Sequence, residues 1–306
     1  EGLIRDIRNS FYDILLARAN VGVRSESVKQ IQSLADQTES KYKAGAVSEF
    51  DLISAKVRLA NEKPELIRAG NAHLLALENY KRLLNVDDVL FDIEGELKCE
   101  PIGTSLDELC KTAIQNRPAT KEMEAAVALK EQDLVVARAG YYPSLSGYFL
   151  YDGANSYKFV TYGNELEWHW TAGAVVSWNF WDGGLTHGTV VQKKMELAKM
   201  RTNLDEFRKG VQLEVKQAYF DMERALETIE AGKGNVTMAG KALEIAGTRL
   251  DAGMGTYLEF SDANLALTTA KLTLYSALRD HMNAVARLCY ACGVGEKELP
   301  AGETNK

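Results

Sequence analysis

Two periodicities divide this chain. Between residues 141 and 184, apolar and polar positions alternate. Trp168, Trp170, Ala172, Ala174, Val176, Trp178 and Phe180 fall on one side, and His169, Thr171, Gly173, Val175, Ser177 and Asn179 on the other. An earlier run sets Leu145, Gly147, Phe149 and Tyr151 against Ser144, Ser146 and Tyr148. A period of two predicts strands, here a β-hairpin whose connection, 152–166, is polar. Each strand is roughly 10 residues, about the length that crosses a bilayer when tilted. All four tryptophans of the chain lie at or near the strand ends, where a membrane interface favours them. Two readings fit. In one, Trp168, Trp170, Ala172, Val176 and Trp178 face lipid, while Thr171, Ser177 and Asn179 face a lumen or a neighbouring strand. In the other, the hairpin is soluble with one aromatic face. A two-stranded hairpin is marginal alone, so its partners come from other copies or from sequence outside this stretch.

On both sides of the hairpin the apolar spacing is helical. Ile7, Phe11, Ile14 and Leu15, then Val28, Ile31 and Leu34, predict one helix from residue 1 to about 43. Gly45 ends it, and Ser48 can cap a second helix from about 49 to 85. Its two adjacent apolar rows, Leu52-Leu59-Leu66 and Ile53-Ala60-Ile67-Leu74, predict neighbours on two sides, as in a wall. Pro64 predicts a kink or local irregularity in it. Ser105 opens a short helix with a capping-box spacing to Glu108, and Pro118 ends it. A further helix, about 119–139, leads into the hairpin. After Asp182-Gly-Gly comes a helical stretch to about 251, roughly 100 Å at 1.5 Å per residue, with bends expected at Gly210, Gly232, Gly234 and Gly240. The last helix runs from about 257 to 292.

A shift of 208 aligns the two flanking helical pairs without a gap. Phe11 meets Tyr219, Asp13 meets Asp221, Gly45 meets Gly253, Ser48 meets Thr256, Asp51 meets Glu259 and Leu59 meets Leu267. The turn between the helices is therefore expected to be one turn built twice. A helix and a hairpin precede the second copy and nothing precedes the first. On this reading, roughly 90 residues or more, holding another helix and strand pair, would stand upstream of residue 1.

The organisation expected is a first helical hairpin (1–85), an irregular region with a short helix (86–117), a helix leading to the membrane (118–140), the β-hairpin (141–182), a second helical hairpin (183–293) and a disordered tail (294–306). The fold class is mainly α with a membrane β-hairpin.

Composition narrows the function. The 306 residues carry a net charge of −7 and only five prolines. The acidic balance shows no basic stripe and argues against nucleic acid. No apolar stretch of about 18 residues exists, so there is no transmembrane helix, and a membrane protein of this kind has to use a β-barrel. The four histidines, His73, His169, His187 and His281, are scattered, and no nucleophile motif, phosphate loop or metal spacing accompanies them. No enzyme, metal site or cofactor is expected. Cys289 and Cys292 have C-x-x-C spacing without a second pair, which reads as small buried residues. A Cys99–Cys110 bridge is open in an oxidising compartment.

Asn116-Arg117-Pro118, Tyr141-Tyr-Pro-Ser-Leu-Ser146 and Trp178-Asn-Phe-Trp-Asp-Gly-Gly184, together with Tyr42-Lys-Ala-Gly45 and Arg249-Leu-Asp-Ala-Gly253, resemble the TolC-type outer-membrane efflux proteins. The resemblance covers about 1–293 of the chain. It implies a homotrimer with a shared transmembrane β-barrel in outer-membrane lipid and a long α-helical barrel in the periplasm of a Gram-negative-type bacterium. It implies an exit duct of a tripartite efflux or type I secretion system, passive in itself. Its partners would be a periplasmic adaptor (membrane fusion protein) and an inner-membrane pump. The adaptor would meet the two helical turns: Lys43, Ala44, Gly45 and Ser48 in one, Asp251, Ala252, Gly253 and Thr256 in the other. Asp51, Glu259 and Asp262, just after those turns, would ring the tunnel entrance with carboxylates; they also fit ordinary helix starts, where acids suit the dipole. Gly255 stands where some members of the family carry a basic residue. The rival reading is an adaptor-like periplasmic coiled-coil protein, which the aromatic strands and the duplication disfavour.

Overall fold

The computed structural model describes residues 2–86, 93–99, 103–155 and 166–295. The middle of the polar connection between the strands and the end of the tail lie outside the described residues. The elements are α1 (Gly2–Lys43), α2 (Glu49–Leu84), α3 (Leu106–Asn116), α4 (Pro118–Ala139), β1 (Ser144–Asn155), β2 (Leu166–Ser177), α5 (Leu185–Asp251) and α6 (Tyr257–Cys292). They fall into two compact units, Glu1–Pro118 with Gly210–Lys306, and Ala119–Lys209.

In the first unit the duplication is geometric. α1 ends at Lys43 and α5 at Asp251; α2 starts at Glu49 and α6 at Tyr257, each pair 208 apart. The left-handed residue that ends α2, Asn85, has its counterpart in Gly293 after α6. In α1–α2 the hairpin register is marked by the Phe11–Tyr80 ring pair and by an ion pair from Arg24 to Glu62 at 3.0 Å. The counterparts of Arg24 and Glu62 are Gly232 and Ala270, which line one groove on the second hairpin. Loss of the long side chains brings α5 close to α6: a Cβ at Gly232 would stand 3.2 Å from Leu274.

The two hairpins join along α1 and α6, which run antiparallel. Asn264 bonds Ser27, Lys271 pairs with Glu26 at 2.6 Å, and Arg279 pairs with Asp13 at 3.2 Å. On the other side of α1, Ile14 and Leu15 pack with Ile93, Phe11, Leu77 and Tyr80. Arg18 donates to the carbonyls of Ile93 and Gly95, which ties the 93–99 segment to α1. Leu109, Cys110 and Ala113 bury α3, and the Cys292 thiol donates to the Leu109 carbonyl from the end of α6. Gly293 (φ +64°) is needed there, because a Cβ would stand 2.8 Å from the Arg117 Cα.

Pro64 lies inside α2 and does not interrupt it; the helix runs from Glu49 to Leu84. Pro64 and Ala60 are both exposed, so the carbonyl that loses its N–H partner faces water rather than a packed neighbour. α5 likewise runs without a break through Gly210, Gly232, Gly234 and Gly240. Its buried residues Leu204, Val211, Val215, Ala218, Met222, Ala225 and Ile229 recur at intervals of seven, four and three, one continuous packed stripe.

In the second unit, α4 lies on the first part of α5. Glu131–Arg201 and Glu124–Arg208, each at 2.7 Å, tie the two helices together, and Leu134 of α4 and Leu197 of α5 are buried. The hairpin is antiparallel, pairing Ser144 with Ser177, Phe149 with Ala172 and Asn155 with Leu166. Both strands extend further into the 152–166 connection than alternation alone indicates, and β2 stops at Ser177. Trp178, Asn179 and Phe180 therefore stand beyond the strand. The Trp178 indole donates to the Tyr141 carbonyl at 3.3 Å, a contact that closes the base of the hairpin.

Candidate functional site

The two faces of the hairpin follow from its register. Directly opposed residues share a face, so Leu145 with Val176, Gly147 with Ala174, Phe149 with Ala172 and Tyr151 with Trp170 form one side. Tyr151 stacks on Trp168 at 5.2 Å between ring centroids. This side carries Trp168, Trp170, Ala172 and Val176, all exposed, with Trp168 61% and Trp170 70% accessible. The other side carries Ser144 with Ser177, Ser146 with Val175, Tyr148 with Gly173 and Leu150 with Thr171. Tyr148 covers Gly173 so closely that a Cβ there would meet its ring at 2.6 Å. Two strands leave both faces and both edges open, and edges in a membrane require partners.

The two turns share one backbone hydrogen-bond pattern, to which the second adds a bond from the Gly255 N–H to the Arg249 carbonyl at 2.9 Å. Gly45 (φ +71°) and Gly253 (φ +72°) adopt the left-handed conformation that glycine tolerates. The Ala46 N–H reaches the Lys41 carbonyl at 2.9 Å, and the Met254 N–H reaches the Arg249 carbonyl at 2.8 Å. Both turns end in a reciprocal capping box, Ser48 with Asp51 and Thr256 with Glu259. Because α1 and α6 are antiparallel, both turns lie at the same end of the first unit. Their charges differ. Glu39 holds Lys43 at 3.1 Å and Lys56 at 3.4 Å beside the first turn, and those hydrogen bonds, Lys43 first, keep its carboxyl below the usual range. At the second turn Arg249 stands 3.9 Å from Glu259 and reaches the Met254 carbonyl.

Of the three acids, Asp51 and Glu259 are turned back onto their own helix starts. Asp51 Oδ2 accepts from the Ser48 hydroxyl at 2.7 Å, and Glu259 Oε2 accepts from the Thr256 N–H at 3.4 Å. Asp262 is exposed and borders the α5–α6 groove, with Asn235, Met238 and Leu265.

All four cysteines carry free thiols. Cys289 and Cys292 are buried, and burial pushes the Cys292 thiol up to about 12. Both side chains are small packing groups in the interior at the end of α6. Among the described residues no group of three or more His, Cys, Asp or Glu is arranged to hold a metal ion. No described helix is long and apolar enough to cross a membrane. The alternation and repeat did not reveal the Arg18 clamp, the Ser27–Asn264 contact or the burial of His281; these depend on which helix faces which.

Along the chain, a strand pair with an open aromatic face falls between two copies of one long helical hairpin. The sequence profile of the outer membrane efflux protein family matches residues 109–294, and the chain belongs to that family. It is 22% identical to nodulation protein T of Rhizobium leguminosarum bv. trifolii over 95% of this chain and 63% of that protein. It is 21% identical to the outer membrane protein TolC of Vibrio cholerae, over 96% of this chain and 68% of that one. The fold superposes on the outer-membrane channel OprN with a TM-score of 0.81 at 17% identity, covering 97% of this chain and 67% of OprN. It superposes on the outer membrane protein VceC of Vibrio cholerae with a TM-score of 0.77 at 15% identity, covering 96% and 70%. The chain thus spans just under two thirds of the first of these relatives. It is an outer-membrane protein with a large periplasmic helical portion.

Proposed function

We propose that this chain forms part of a homotrimeric exit duct. In it a shared β-barrel in outer-membrane lipid continues into an α-helical tunnel, and cargo passes passively from an inner-membrane pump. One observation carries the assembly. Within the chain, α6 packs on α1; by the 208-residue repeat, α2 should pack on α5 in the same way. Those faces are open instead. Ile53 is 53% and Leu75 71% exposed, whereas their counterparts Ser261 and Asn283 are 4% and 9%. Phe220 is 57% exposed and its counterpart Tyr12 is 7%. The α2 of one copy and the α5 of the next therefore complete each other, and repetition closes a ring. The exposed face of Trp168, Trp170, Ala172 and Val176 supports lipid contact, and Trp178 beside it supports an interfacial position.

The two matched turns, at one end of the first unit, are the docking surface for the hairpin tips of a periplasmic adaptor. Asp51 and Glu259 cap helix starts, and in a ring the three acids Asp51, Glu259 and Asp262 favour cations. Asp262, free of capping duty, is the strongest single candidate. Conduction needs no covalent chemistry, and the protein acts as a channel rather than an enzyme.

The experiment pairs structure with function in the full-length protein. Lys56→Cys with Asn235→Cys repeats the positions of Asn264 and Ser27. It should give oxidised cross-links between copies on a denaturing gel, while wild-type protein gives cation-selective single-channel steps in planar bilayers. Absence of both the cross-link and the conductance overturns the reading.

A further inference from the structure

The first turns of α1 and the end of α6 enclose a cavity of about 330 Å³. Ile4, Arg5 and Arg8 line it from α1, Ala286 and Tyr290 from α6, and Val294 from the turn that follows. Arg5 stacks its guanidinium on the Tyr290 ring at 4.7 Å, and Arg117 approaches the same ring at 5.4 Å. Arg5 gives its Nε and Nη2 to Asp6, at 3.0 and 2.8 Å, and its Nη1 makes no hydrogen bond to the described residues. Arg5 and Tyr290 also line a second cavity, of about 380 Å³. Charge is sorted between the two. The second cavity takes Asp6, Glu214 and Asp221 together with Arg5 and Arg287. Among the described residues that line the first, the only charges are the two arginines.

We propose that the first cavity is a binding site for a small organic carboxylate: Arg5 and Arg8 take the anion, and Ile4, Ala286 and Val294 take its short apolar body.

Guanidinium groups meet carboxylates through paired N–H donors, and the contact is stronger than one between neutral groups. The volume is near the lower end for small-molecule sites, which run from roughly 300 to 1,000 Å³, so the ligand is small. The apolar part of the lining disfavours a bare, strongly hydrated ion. The turn itself needs neither arginine: the Gly293 N–H bonds the Tyr290 carbonyl and the Val294 N–H bonds the Cys289 carbonyl, each at 3.2 Å. Nor does the repeat need them. The counterparts of Arg5, Arg8 and Tyr290 are Leu213, Lys216 and Arg82, which keep neither the arginine pair nor the ring. The arrangement thus belongs to the closed α1–α6 seam, and it does not rest on the channel reading.

The test is calorimetric titration of the detergent-solubilised full-length protein with benzoate at pH 7 and low salt. One saturable site per chain is expected. Benzyl alcohol, which lacks the charge, and acetate, which lacks the apolar body, should each bind about tenfold more weakly or worse. Arg8→Gln should weaken benzoate binding about tenfold or more, the loss of one charge-assisted contact. Ile4→Trp, at a residue 58% exposed, fills the cavity from its rim without removing a charge and should abolish binding. That variant and the ligand comparison decide the matter even if Arg8→Gln fails to fold. Absence of saturable benzoate binding, benzyl alcohol or acetate binding as tightly as benzoate, or full affinity in folded Arg8→Gln or Ile4→Trp would each overturn the proposal. A benzoate site in protein that gives no conductance would instead count against the channel reading alone.

Discussion

The Asn264 amide on α6 donates to the Ser27 hydroxyl on α1 at 3.4 Å, and the two residues are 1% and 3% exposed. This single buried bond spans the two halves of the repeat. Its counterparts, Lys56 and Asn235, are both exposed, so the seam is asymmetric: closed once within the chain, open once for a neighbour.

The bond should be measurable as a coupling. Ser27→Ala and Asn264→Ala each leave a buried polar group unpaired and should each cost about 1–3 kcal/mol. The double variant should cost less than their sum by about 1 kcal/mol. Denaturant unfolding of the four proteins gives the cycle, and strict additivity would mean that the bond is not formed.

Gly45 and Gly253 have open space where a Cβ would be built, so replacement tests backbone conformation alone. Gly45→Ala and Gly253→Ala should each lower stability by about 1–2 kcal/mol, the cost of a left-handed residue with a side chain. Thermal unfolding should give similar losses at the two sites. A large difference would show that the turns are not one structure built twice.

Capping and conduction can be separated at the second turn. Thr256→Ala removes a capping hydroxyl and should cost about 1 kcal/mol with unchanged ion selectivity. Asp262→Asn removes a charge that does not cap the helix and should lower cation selectivity with little effect on stability. Bilayer recordings and melting curves on both variants decide it; normal selectivity in Asp262→Asn would remove Asp262 from the pore.

The register gives the sharpest test of the membrane face. Val176 lies next to the end of β2, whereas Ala172 pairs with Phe149 in mid-strand. Ala172→Arg should cost about 2–4 kcal/mol if it faces the lipid midplane, and should sharply reduce assembled protein in outer-membrane fractions. Thr171→Arg, one residue away on the opposite face, should assemble far better. Equal yields would argue that this face does not meet lipid.

Local pattern determined the elements here. Alternation around Trp168–Trp178 identified the hairpin and its two faces because side chains in a strand must point to opposite sides. The gapless 208-residue repeat, with Gly45 on Gly253 and Ser48 on Thr256, identified the two matching turns because turn geometry depends on a few adjacent residues. Whether Pro64 would interrupt α2 was not legible from sequence, since that depends on whether water or a packed neighbour meets the freed carbonyl. What only the tertiary structure decided is which faces meet. Helical periodicity gives each helix an apolar side but not its partner, so α1 against α6 and the burial of His281 come only from three-dimensional packing. The open faces of α2 and α5 were visible as apolar rows, but their openness is a property of the folded chain, set by the one seam it closes by itself.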